Sequence, residues 1–256
     1  MRIATFNING IKARLPRLLE WLDETAPDIA CLQEIKTSDE GFPAAEFNAH
    51  GYGAIWHGQK GFNGVAILAR GSTPVEVGRG LAGDPNDAHS RFLEADIGGM
   101  RVASIYLPNG NPQPGPKFDY KLKWMDRLHA RAAEILAQEA PAVLLGDFNV
   151  IPHDDDVFNV RAMAEDALMQ PEPRARYRSL LGQGWTDALR SRNPQGGVWT
   201  FWDYQAGAWQ RDAGFRIDHI LLSPQAADRL VDAQVDKDHR GRKKASDHAP
   251  VWVELS

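Results

Sequence analysis

Val143-Leu144-Leu145-Gly146-Asp147-Phe148-Asn149 sets a run of three apolar residues against a glycine, a carboxylate and an amide. A short continuous apolar run of this kind reads as a strand buried on both faces. Gly146 lets the chain turn, and Asp147 and Asn149, two apart, point the same way if the strand continues. Working outward, the same ending recurs. Met1 to Phe6 reads as a strand closing on Asn7, Ile29 to Leu32 as a buried strand followed by Glu34, and Val102 to Tyr106 as a strand whose last residue is a phenol. Further strands are predicted at Val65 to Leu68, Phe92 to Ile97, Val143 to Leu145, Ile217 to Leu222 and Val251 to Leu255. Asp218 stands at the head of one of these, and Asp247-His248 stands just before another.

In antiparallel or mixed sheets, the ends of some strands and the starts of their neighbours share one rim. Asn7, Glu34, Tyr106, Asp147, Asp218 and His248 are therefore expected to converge although they span most of the chain. Helical spacing is confined to a few stretches. Leu15 to Asp23 ends before Pro27, and a long helix from about Lys117 to Gln138 carries Phe118, Leu122, Met125, Ala132, Ile135 and Leu136 on one face, with Pro141 closing it off. No linker, low-complexity segment or long repeat interrupts residues 1–256, which reads as one domain. Phe6-Asn7-Ile8 and Phe148-Asn149-Val150 echo each other, as a two-sheet sandwich of related halves would explain.

The composition agrees with a folded globular chain: 43% of the 256 residues are hydrophobic and 25% charged, which excludes disordered and collagenous classes. No apolar stretch is long enough to span a bilayer, and MRIATFNING has no signal-peptide pattern. A lone cysteine, Cys31, excludes an intramolecular disulfide framework and suits a reducing compartment, so a cytoplasmic location is expected. A net charge of -5 excludes a uniformly basic nucleic-acid binder but permits a local basic patch.

The rim residues suggest hydrolysis at phosphorus. Asn, Glu and Asp offer oxygen ligands only, which suits a hard cation such as Mg²⁺ or Mn²⁺. Glu34 with Asn7 fits that role, although Glu34 by itself reads sooner as a solvated acid at a strand end. Asp147 can orient or deprotonate a water while Asn149 holds the water or a phosphate oxygen; a turn with Asx hydrogen bonds would give the same letters. Protonated His248 can stabilise a phosphoryl oxygen, with Asp218 orienting it and raising its pKa. His219 must face away from Asp218 and reads as structural. Tyr106 opens a Pro/Gly/Asn loop and suits a phosphate donor, a phenolate or a half-buried aromatic.

Trp185 to Phe215 holds seven aromatics where about three would be expected from the chain's average. Their mixture with Gly, Asp and Gln suggests an exposed loop able to enclose a flipped nucleotide or a bare sugar. Arg240, Arg242, Lys243 and Lys244 add a basic run beside His248 that reads equally as a phosphate site or a solvated face.

In chain order TFNINGI, LQEIK, GFNGVAIL, YLPNG, LLGDFN, NPQ with TFWDY, GFRIDHILLS and SDHAPV resemble the exonuclease III type of abasic-site endonucleases, within the exonuclease–endonuclease–phosphatase superfamily. The pieces run from residue 5 to 251. The resemblance implies an α/β fold, a DNase I-like four-layer sandwich of two packed mixed β-sheets flanked by helices, with the site at one rim. It implies a metal site at Asn7 and Glu34 with Asp247 as an outer acidic member, phosphate contacts at Tyr106 and Asn109, and a water-activating pair in Asp147 and Asn149. It also implies Asp218 as the partner of His248, and a pocket for the abasic sugar at Phe201, Phe215 and Ile217. The loop after Asn111 is short and proline-rich and matches no DNA-inserting residue.

The expected activity is Mg²⁺- or Mn²⁺-dependent hydrolysis of phosphodiesters 5′ to abasic sites, 3′→5′ removal of nucleotides from duplex DNA, or both. The expected partner is double-stranded DNA, especially abasic sites and 3′ ends, engaged by a monomer without a membrane. Two other readings are a phosphomonoesterase or phospholipid-type phosphodiesterase of the same superfamily, and a non-catalytic DNA-binding scaffold. NPQ, TFWDY and GFRID argue against the first, and the full set of Glu34, Asp147, Asn149, Asp218 and His248 against the second.

Overall fold

The computed structural model describes all residues, 1–256. Twelve strands form two six-stranded mixed sheets. One sheet takes β1 (Arg2–Asn7), β2 (Ile29–Gln33), β3 (Tyr52–His57), β4 (Val65–Arg70), β11 (Leu230–Val235) and β12 (Val251–Leu255), in the order β11-β12-β1-β2-β4-β3. The other takes β5 (Val75–Arg79), β6 (Phe92–Ile97), β7 (Met100–Tyr106), β8 (Ala142–Asp147), β9 (Thr186–Asp187) and β10 (Asp218–Leu222), in the order β5-β6-β7-β8-β10-β9. Helices α1 (Ile11–Thr25) and α2 (Ala44–Ala49) cover the outer face of the first sheet, and α3 (Pro116–Leu136) and α4 (Pro171–Gly182) that of the second.

Strand alternation sorts the side chains into layers. Ile3, Ile29, Cys31, Val102, Val143, Leu145, Ile220, Val251 and Val253 meet between the sheets. Ala4, Leu32, Ala103, Leu144 and Leu221 face the helices. Continuing the inner rows by one or two periods places Asn7 beyond Ile3, Tyr106 beyond Val102, Asp147 beyond Leu145, and Asp218 ahead of Ile220, all at one end of the sandwich. The sheets are pinned together just below that end by the hydrogen bond from Gln33 Nε2 to Ser104 Oγ (3.1 Å), with Thr5 Oγ1 holding Gln33 Oε1 (3.0 Å) within the first sheet.

All eight strands expected from the sequence are present, and all are interior strands. The four that the sequence did not reveal, β3, β5, β9 and β11, are the four sheet edges. Helix α1 begins a turn earlier than expected and keeps Pro16 within it. The buried face of α3 differs from expectation: Leu122 and Leu136 are half-buried, whereas Trp124, Leu128 and a lysine, Lys121, are buried. No helix is long and apolar enough to cross a membrane.

Candidate active site

The rim brings the expected residues together. Asp147 ends β8, and register pairs it with Tyr106 of β7 on one side and Asp218 of β10 on the other. Asn7 ends β1, and its Nδ2 donates at 2.9 Å to both Glu34 Oε1 and Asp147 Oδ2, so one amide ties the two sheets' carboxylates together. His248 completes the cluster: its Nδ1–H donates to Asp218 Oδ2 at 2.8 Å, while Nε2 lies 3.8 Å from Asp147 Oδ2. Asp147, Asp218 and His248 are each at most 4% exposed.

Four non-glycine residues at the rim adopt left-handed backbone: Asn9 (φ 46°), Glu34 (φ 53°), Lys36 (φ 50°) and Asn149 (φ 47°). Each such residue costs about 1 kcal/mol, and the surrounding bonds hold them there. Ile8 N and Gly10 N donate to Gln33 O and Glu34 O, fastening the loop after β1 to the loop after β2. Asn149 does not continue the strand as its spacing allowed. Its backbone N donates to Asp147 Oδ1 at 2.9 Å, an Asx turn, and its side chain reaches Leu107 O (2.9 Å) and Asn109 Nδ2 (3.2 Å). The turn reading of GDFN is thus present, and it fixes where the Asn149 amide points.

Charge sets these groups apart. Burial raises the Asp147 carboxyl, the nearby Asp218 and Glu34 carboxylates add to that, and the His248 cation only partly offsets them, leaving Asp147 at about 7. Burial alone would lower His248, but Asp218 outweighs it and holds the imidazole at about 10, so the ring carries its proton at neutral pH. Glu34 is lowered despite burial, because Lys36 and Asn7 bond to it. Burial, with the charges of Glu34 and Asp147, pushes Tyr106 well above the usual phenol range. Tyr106 is accordingly a neutral donor, which removes the phenolate alternative. The Arg91 guanidinium stacks 4.7 Å from its ring centre.

Oxygen and nitrogen atoms of Glu34, Asp147 and His248 lie within 4.8 Å of one another. A protonated imidazole bonded to Asp218 has no free lone pair for a metal, so the atoms of this group that could hold a cation are the oxygens of Glu34 and Asp147, with Asn7 beside them. Two crowded carboxylates, one raised to near neutral pKa mainly by its burial, fit a hard cation. Asp247 lies outside the group; its Oδ1 accepts from Asn9 Nδ2 at 3.0 Å and from Ser246 Oγ at 3.2 Å.

Sequence reasoning missed Asn9, Lys36 and Lys121. Lys36 Nζ sits 2.6 Å from both Glu34 Oε2 and Asn9 Oδ1, and LQEIK contained the signal, since Lys36 stands two residues beyond Glu34. The aromatic segment divides. Trp185 and Trp202 are buried core, Tyr204 is exposed, and Phe201 and Phe215 pack at 4.6 Å beside Ile217, with Phe201 edge-on to His248 at 4.9 Å. Phe201, Phe215 and Ile217 thus flank the centre. Arg216 between them is 2% exposed and is fixed by Asp156 (2.7 Å) and Asp187 (2.8 Å). His219 faces away from the rim as expected; burial and Arg216 lower it to about 4.

The basic run is corrected in part. Arg240 is buried, with its guanidinium on Trp202 O, and Arg242 is paired with Glu20 and Glu24, so both are structural. Lys243 and Lys244 are exposed.

The sequence matches the model of the Endonuclease/Exonuclease/phosphatase family over residues 4–248. It is 35% identical over 267 residues to exodeoxyribonuclease III of Haemophilus influenzae, covering all of both chains. It is 30% identical over 263 residues to the DNA repair nuclease APEX1 of Danio rerio, covering all of this chain and 82% of that one. Among solved structures, a 3′ phosphatase, NExo, from Neisseria bound to product DNA hairpin superposes with a TM-score of 0.97 at 39% identity, covering 100% of this chain and 99% of the other. An AP endonuclease from Archaeoglobus fulgidus gives 0.96 at 37% identity, with the same coverage.

Proposed function

The chain belongs to the endonuclease/exonuclease/phosphatase family, and from that premise we propose how residues 1–256, as one domain, act as a divalent-cation-dependent DNA repair nuclease. The observation that carries the reading is the arrangement at Asp147: a buried carboxyl held near neutral pKa, 3.8 Å from an imidazolium that is itself fixed by Asp218.

Asp147 is the general base. A base with a pKa near the working pH combines availability with proton-accepting strength, and this one takes a proton from a water aligned opposite the leaving 3′ oxygen. His248, charged and anchored, donates Nε2–H toward a non-bridging phosphoryl oxygen as charge develops there. Asn149 and Asn109, joined at 3.2 Å, present amides to the phosphate, and the Tyr106 phenol is a further donor to it. Glu34, with Asn7 and Asp147, would hold the cation, and Mg²⁺ or Mn²⁺ there would neutralise charge near the leaving oxygen. Asp247 acts outside this group, steadying Asn9. Phe201, Phe215 and Ile217 form an apolar wall beside the phosphoryl site, which takes a sugar lacking its base.

The substrates are duplex DNA, cut 5′ to abasic sites, and duplex 3′ ends, shortened by one nucleotide at a time. A metal-dependent cleavage assay on abasic, intact and 3′-labelled duplexes tests this. Nicking beside the abasic site or loss of 3′ nucleotides is expected, and a chain that binds these duplexes but leaves them intact with Mg²⁺ and Mn²⁺ would refute it.

A further inference from the structure

Helix α3 buries Phe118, Trp124, Met125, Leu128, Ala132 and Ile135 against the second sheet, and amid them it buries one lysine amine. Lys121 is 0% exposed, and its Nζ donates to two backbone carbonyls, Asn109 O at 2.9 Å and Asn149 O at 2.5 Å. No carboxylate lies within ion-pair distance of it. Burial pushes the amine down to about 7, with the charges of Asp147 and Asp166 pulling it back up from farther away. A methionine would fill the same space without that desolvation, so packing alone does not account for a lysine here.

The two carbonyls explain it. One belongs to the loop after β7 and the other to the loop after β8, and they are the carbonyls of the two residues whose side-chain amides meet at 3.2 Å over the rim. The first loop is also wrapped closely round the lysine stem. Gly110 has φ 94°, and a Cβ there would lie 2.6 Å from Lys121 Cδ. From this geometry we propose that Lys121 is a positioning residue that fixes Asn109 and Asn149 against the phosphoryl group from beneath, without touching DNA. The inference rests on the reading of the rim as a phosphodiester-hydrolysing centre, and it adds a buried amine whose two hydrogen bonds set the spacing of two loops.

The test uses the full chain with Mg²⁺ on a duplex carrying a tetrahydrofuran abasic analogue, comparing Lys121→Met, Lys121→Arg, Asn149→Ala and the Lys121→Met/Asn149→Ala pair. A displacement of about 1 Å in a positioning group can cost on the order of 10²-fold in rate. Lys121→Met should therefore lower kcat by about 10- to 100-fold while KM and the DNA Kd change by less than about twofold. Lys121→Arg should recover part of that loss. In the Asn149→Ala background the same substitution should cost less than about threefold, because its effect passes largely through that residue.

Parental kcat in folded Lys121→Met would overturn the proposal. So would a loss that appears only in Kd with a reduced salt slope, which would mark a phosphate contact, or an undiminished loss in the Asn149→Ala background. Should Lys121→Met fail to fold, Gly110→Ala presses on the same stem with the charge retained and must show the kcat loss. Parental kcat in Asn149→Ala itself would defeat the reading of the rim, which the single Lys121 variants cannot do.

Discussion

Replacing Asp147 by asparagine should slow the enzyme and stabilise it at once. The carboxyl rises from an ordinary 3.8 to about 7, mainly through burial. At about 1.4 kcal/mol per unit, ionised Asp147 therefore costs the folded protein about 4 kcal/mol at pH 8. The sign follows from the raised value: stability is fully present below the ordinary carboxyl pKa and is lost as pH rises to about 7. Asparagine removes that loss, but one of its two polar atoms becomes a donor. Asp147 now accepts from Asn7 Nδ2 and from Asn149 N, so one of those bonds breaks, at about 1–3 kcal/mol. The net gain at pH 8 is about 1–3 kcal/mol, or a Tm higher by roughly 5 °C for a chain of this size. At pH 5 the wild-type penalty falls to about 1–2 kcal/mol, and the two proteins should melt close together. Melting in chelator at both pH values reads this directly. In the same preparations single-turnover cleavage with Mg²⁺ should fall by about 10² to 10⁴, with DNA binding retained or tighter. Near-parental turnover would refute Asp147 as the base. A Tm lower than wild type at pH 8 would refute the premise that its charge is held against its preference.

Chelation should abolish cleavage, and either Mg²⁺ or Mn²⁺ should restore it, with Tm moving little because one or two carboxylates do not hold the sandwich together. Full activity in excess chelator, or a large drop in Tm, would contradict one half of that expectation. Asp218→Ala removes the group that holds His248 at about 10, so the pH–rate profile should lose activity at pH 8 more than at pH 6; a profile merely scaled down would show that Asp218 does not set the imidazolium. Folded Phe201→Ala and Phe215→Ala should reduce the ratio of abasic to intact cleavage. Because Phe201 also touches His248, the ratio and not the rate is the readout, and an unchanged ratio would return these rings to the core.

What the sequence revealed follows from what each residue has on either side of it. An interior strand is covered on both faces and paired along both edges, so Ile29 to Leu32 and Val143 to Leu145 must be apolar without a break. An edge strand has a free side, and Val75-Glu76-Val77-Gly78-Arg79 lies mostly exposed as a result; its letters resemble a loop. The same logic applies to the site. Asn7, Tyr106, Asp147 and Asp218 were legible because each is a polar residue at the end of an apolar row, where strand period alone fixes the face. Lys121 was hidden by the same rule. A lysine on a helix counts as solvent-facing unless two loops distant in sequence place their carbonyls above it, and nothing in PKFDYKLKW records where those loops go. The site is thus readable where one strand determines it. It is unreadable where it depends on loops meeting, as at Asn9 and Lys121, and those meetings are also where the left-handed backbone of Glu34 and Asn149 is held in place.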